Sequence, residues 1–129
     1  MIELLVVVAI IGILASVVLA SLNSARNKGA DATIKSQLQS LRASAEIYYD
    51  GASNYKDFCL HSNTVWAQAE AVLNKASGGT STCTEASEGA KYAIYSPLKL
   101  PVTSTGWCVD ADGFTGAASS AAGGVCVVN

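Results

Sequence analysis

From Leu4 to Leu22 the chain is apolar, interrupted only by Gly12, Ser16 and Ser21, with no proline and no charge. At ~1.5 Å per residue this stretch makes a helix of about 28 Å, close to the ~30 Å hydrocarbon thickness of a bilayer. A helix apolar on every face has no solvent side, so lipid or other helices must cover it. Glu3 stands at its edge as the one charge in residues 1–22. A carboxylate there is costly unless something cationic pairs with it, so it reads as functional.

Residues 23–50 continue the helix with a different face. Ala30, Ile34, Leu38, Leu41, Ala45 and Tyr48 recur at steps of three and four, and Arg26, Lys28, Asp31, Lys35, Arg42, Glu46 and Asp50 interleave with them. From Leu38 onward this stripe is expected to pack on the protein's own globular part, and nearer the membrane on other subunits. Gly29 costs about 1 kcal/mol relative to alanine, and Asn23, Ser24 and Asn27 also favour breaks, so a bend is expected between Leu22 and Ala30. Gly51 is expected to end the helix. A helix of that length, about 74 Å, exceeds what a small domain can bury, so its first half must find partners outside the chain.

Residues 51–129 read as one small globular domain. Ser53 to Asn63 is expected to be a loop holding Cys59. Val65 to Ala76 is expected to be a short helix burying Val65, Trp66, Ala69, Val72 and Leu73, capped by Asn63 or Thr64 and stopped by Gly78-Gly79. Thr80 to Gly89 is small and polar, and is expected to be irregular. Strands are expected over Tyr92 to Ser96, closed by Pro97, and over Thr103 to Asp110. Asp112-Gly113 signals a turn into a third strand from Phe114-Thr115. Ala117 to Gly124 predicts a mobile surface loop, and Val125 to Val128 a return to the sheet.

Cys59, Cys83, Cys108 and Cys126 form no CxxC pair, so the usual zinc spacing is missing. An even number in a small domain reads as two disulfides and an oxidising, exported location. Three connectivities are open, and the nearest-neighbour choice, Cys59–Cys83 with Cys108–Cys126, is the expectation. Arg26 and Lys28 just after the apolar run would by themselves keep the following domain cytoplasmic, against the cysteines. A cleaved signal peptide fits residues 1–22 poorly, because no basic residue precedes the run and no turn-forming residue follows it.

Ile2-Glu3-Leu4-Leu5 running into VVVAIIGILA resembles the N-terminal helix of type IV pilins and of the related type II secretion pseudopilins. The resemblance covers roughly the first twenty residues. It implies processing by a prepilin peptidase and methylation of the new N-terminus, which the family pattern places upstream of Met1. It also implies that Glu3 meets the N-terminal amine of a neighbouring subunit. Ile2, Leu4, Leu5, Val6, Ile10, Ile11, Ile13, Leu14, Val17 and Val18 would then pack the core of a filament. Ala20 stands where many relatives carry a proline. The Trp-Gly-x-Pro-Tyr stretch and calcium loop of major pseudopilins have no counterpart, and a disulfide-tied C-terminal loop looks more like a pilin.

Chemistry beyond assembly is sparse. No nucleophile elbow, HExxH or phosphate-cradling glycine loop occurs, and the one histidine, His61, lies in a polar loop where a surface position without a role is expected. Asp110-Ala111-Asp112-Gly113 begins like a calcium loop but lacks the further ligands, and reads as a hairpin turn. Tyr48, Tyr49, Tyr55 and Phe58 read as packing around the end of the long helix, not as an electronic stripe. With a net charge of −2 the chain offers no basic field for nucleic acid. The expected fold is α+β, a long N-terminal helix packed on a small antiparallel sheet tied by disulfides. The expected function is a non-enzymatic filament subunit without metal or cofactor, held in the inner membrane before an assembly machinery extracts it to the cell surface. The rivals are a pseudopilin or minor pilin and, from another class, a membrane-anchored surface binding module.

Overall fold

The computed structural model describes residues 1–60, 62–100 and 106–128. Its first helix, α1, runs unbroken over Ile2–Ala52. The helix is not interrupted at Gly29, because one glycine costs only about 1 kcal/mol in a ladder of this length. Nor does Gly51 end the helix. Ser53 does so, in the left-handed region at φ 61°, with its N–H donating to the Tyr49 carbonyl at 2.6 Å. Burial along α1 begins at Asp31 and continues through Ile34, Leu38, Leu41 and Ala45. Packing on the chain's own domain therefore starts about two turns before Leu38, and Ile34 is fully buried.

The second helix, α2, covers Thr64–Ser77. Asn63 caps it, its side-chain oxygen accepting from the Val65 N–H at 3.0 Å, and Gly78 stops it at φ 73°. It starts beside Tyr48 and ends beside Pro97 and Lys99, so it runs back along α1. Trp66, Ala69 and Leu73 are buried as the pattern predicts. Val65 and Val72 are not, because they border an open groove whose other wall is Gln37, Ser40 and Ser44 of α1.

Four strands form an antiparallel sheet in sequence order, β1 (Thr82–Glu85), β2 (Tyr92–Pro97), β3 (Gly106–Asp110) and β4 (Thr115–Ala118). Ile94 faces Cys83 on one side and Val109 on the other, and Tyr95 faces Cys108. Alternation then sends Tyr92, Ile94 and Val109 into a core with α1, α2, Tyr55 and Phe58, and sends Ala93, Tyr95, Cys108 and Ala118 to the opposite face. A hairpin of β5 (Ser120–Ala122) and β6 (Val125–Val127) covers that second face. The fold is α+β in three layers: helices, sheet and hairpin.

Three expectations change here. Thr80 to Gly89 is not irregular, since Thr82–Glu85 pairs residue for residue with β2 and a short 3-10 turn follows at Ser87–Gly89. Small polar residues are accepted in β1 because it is an edge strand with modest burial. Ala117 to Gly124 is not a surface loop. Its alanines are small enough to sit against the sheet, Ala118 is fully buried, and Gly123 and Gly124 make the β5–β6 turn at φ 55° and 76°. Val125–Val127 pairs with β5 and does not extend the main sheet. Of the strand expected over Thr103 to Asp110, the described part is Gly106–Asp110; its portion at 103–105 lies outside the described residues.

Candidate functional site

Every residue from 1 to 26 is exposed on the isolated chain. Ile2, Leu4, Leu5, Val6, Ile10, Ile11, Ile13, Leu14, Val17 and Val18 each expose more than half of their surface, the least at 52%. A soluble monomer rarely shows an apolar patch beyond a few hundred Å². This one wraps a whole helix that is long and apolar enough to cross a bilayer. Ser16 is reconciled with that setting by donating its hydroxyl to the Ile13 carbonyl at 2.7 Å. Gly12 leaves open space beside the helix, with no atom within 4 Å of an added Cβ.

Glu3 occupies the first turn of α1, where the helix dipole favours a carboxylate. The nearest basic side chain along the helix is Arg26, about 35 Å away. No other element of the described chain reaches the apolar half, and no side chain among the described residues pairs with Glu3. The geometry presents an apolar rod with a single charge, Glu3, over residues 1–22. It brings Glu3 and the apolar residues into one continuous surface and keeps the globular domain apart from it.

The domain itself is fastened by three carboxylates that periodicity does not single out. Asp31 accepts the Lys99 and Leu100 N–H groups at 2.6 and 3.2 Å, fixing the stretch after β2 to α1. Glu85 accepts the N–H groups of Cys59 and Asp57 at 2.6 and 3.1 Å, holding the loop after α1 to β1. Asp110 turns inward: one oxygen accepts from Asp112 and Phe114 at 3.1 and 3.0 Å, the other from Cys126 at 3.2 Å. The quartet at 110–113 is thus a hairpin turn, and among the described residues no three metal-ligating side chains converge. Each partner is a backbone N–H, so no side-chain motif marks these sites in the sequence. Disulfides join Cys59 to Cys83 and Cys108 to Cys126, with Cα–Cα distances of 5.3 and 5.9 Å.

Of the aromatic residues near the end of α1, Tyr55 and Phe58 are buried in the core, Tyr48 packs against it and Tyr49 stays exposed. Tyr55 lies 4.8 Å from both Tyr49 and Tyr92 between ring centroids, and Phe58 lies 5.5 Å from Tyr48. The Tyr55 hydroxyl donates to the Glu46 carboxylate at 3.2 Å. Burial, with the Glu46 charge second, pushes that phenol up to about 12. Burial raises Tyr92 as well, and its hydroxyl has no partner among the described residues. His61 lies outside the described residues. Comparison of the chain with protein-family models, with curated proteins and with solved structures finds no match.

Proposed function

We propose that this chain is the structural subunit of a type IV pilus-like filament, polymerising through α1 and not acting as an enzyme. The observation that carries the reading is the apolar half of α1, exposed along its whole length and bearing one carboxylate, Glu3. Inserted in a bilayer, that half-helix is covered by lipid. Moved into a bundle of identical segments, it is covered by sister helices. Lipid and bundle are similarly apolar, so bulk hydrophobicity does not drive the exchange, and close packing with a specific polar contact must do so. Glu3 supplies the contact by pairing with a neighbour's N-terminal amine. One heterologous contact repeated with a rotation and a rise gives an open helical polymer. The disulfide-tied domain is then displayed on the outside, which fits export to an oxidising compartment.

The test is Glu3→Ala in cells that make the filament. The domain should keep its fold, since nothing in it touches Glu3. Filament yield on the surface should fall sharply while membrane-held subunit accumulates. Wild-type amounts of ordered filament from the variant would remove the pairing role. Abundant subunit along the sheared filament, as opposed to a trace at one end, separates this reading from a minor pilin.

A further inference from the structure

Four exposed cations gather where α1 enters the globular domain. Arg26 and Lys28 stand on α1 just ahead of Asp31, its first buried residue. Lys99 hangs from the Asp31 carboxylate by its backbone N–H at 2.6 Å. Its ammonium lies over Gly78, where an added Cβ would come 2.7 Å from Nζ. Lys75 is in the last turn of α2, which Gly78 terminates. Asp31 is the one carboxylate among them, and both of its oxygens are occupied by backbone N–H groups. Residues 100–109 carry no charge at all. The far end of the domain is the reverse. Glu46, Asp50, Asp57, Glu85, Glu88 and Asp112 lie towards it with Arg42, Lys56 and Lys91, the last paired to Asp112 at 2.7 Å, while Lys35 of α1 and Glu70 of α2 stand between the two ends. A chain of net charge −2 thus has a positive underside and a negative far end.

The helix fixes what that underside meets. Arg26 lies about 6 Å beyond Leu22 along the axis, and Asp31 about 13 Å. The headgroup layer extends roughly 5–8 Å past the hydrocarbon, and charges act over a further ~8 Å at physiological salt. Once the apolar segment fills the hydrocarbon, Arg26 and Lys28 fall at the headgroups, and Lys75 and Lys99 fall within the screening length.

We propose that this underside is a docking surface for an anionic bilayer. Arg26, Lys28, Lys75 and Lys99 meet lipid phosphates of the leaflet from which the domain emerges and seat the domain on the membrane before assembly. The inference rests on the membrane-inserted half of the proposed function and not on polymerisation. A second copy could offer its acidic end to the same cations only if shifted by about 29 Å, the rise from Asp31 to Asp50. The lipid surface is met by any inserted chain. Each such cation near an anionic surface favours the seated state roughly five-fold.

The full chain is placed at one copy per lipid nanodisc, in phosphatidylcholine alone and with about a third phosphatidylglycerol. Acylation of each lysine amine is followed by mass spectrometry. Lys28, Lys75 and Lys99 should react several-fold more slowly in the anionic discs, while Lys56 and Lys91 keep their rates. The difference should vanish near 1 M salt, where the screening length falls to about 3 Å. Equal rates in the two lipids at low salt overturn the proposal. So does protection that appears only when a disc holds several copies, whatever the lipid, because the partner is then a second chain. A chain that fails to enter the discs takes the membrane reading down as well, whereas entry with equal rates removes the docking surface alone.

Discussion

Asp31 is 8% exposed, although the helical stripe places it among solvated charges. Its partners are backbone N–H groups 68 and 69 residues further on, which leave no mark in a side-chain pattern. Asp31→Ala would strand two N–H donors, and a loss of about 1–3 kcal/mol is expected. A lower denaturant midpoint at unchanged slope, measured on the full chain in detergent, checks this; an unmoved midpoint means that the clamp contributes nothing. Tyr55 gives a second residue-scale expectation. Its proton is held to about 12 in the folded chain against 10.0 ordinarily. The neutral phenol therefore favours folding below pH 10, and that contribution is lost as pH rises towards 12. Buried Tyr92 acts in the same direction. Tyr55→Phe should flatten the alkaline fall in stability, and denaturant midpoints compared above and below pH ~10 decide it.

Elements were legible where side-chain chemistry repeats and illegible where pairing alone makes the structure. The apolar run, the α1 stripe and the Asn63–Gly78 limits of α2 all carry such signals. By contrast β1 and β5 consist of small or polar residues whose strand character comes from their neighbours, β2 and β6. The two disulfides fasten different elements, so losing them should have different effects. Either loop suggests about 3 kcal/mol in the chain-entropy model. Replacing Cys59 and Cys83 by serine should leave the hairpin covered, because Glu85 still holds the loop after α1. Replacing Cys108 and Cys126 should release β5–β6 from the sheet. Hydrogen exchange at Ser119–Val127 should rise in the second variant and not in the first; equal protection in both would mean that packing, and not the bridge, holds the hairpin.

At the scale of the molecule, the division of α1 predicts a separable domain. Ile34 and Leu38 are fully buried against it, so an Ala30–Asn129 fragment keeps its core, and the large apolar side chains it leaves exposed, Ile47, Val128 and Leu60 foremost, are scattered and do not form an apolar rod. The fragment should sediment as a monomer, unfold cooperatively and form no filaments at any concentration. Ordered filaments from it would place assembly in the domain and reduce the apolar half-helix to an anchor. Composition made this division readable, because an apolar rod beside a mixed domain is visible residue by residue, while the seat of the domain on the rod depends on Asp31 and was not. The two bridges have a mechanical consequence too. They span 24 and 18 residues, so roughly half of positions 53–129 lie inside a covalent loop. A pull along the rod cannot draw those residues out. Under tension the hidden length is confined to the segments outside the loops, chiefly 84–107 between the two bridges, so the bridges divide what the domain can give up from what it cannot.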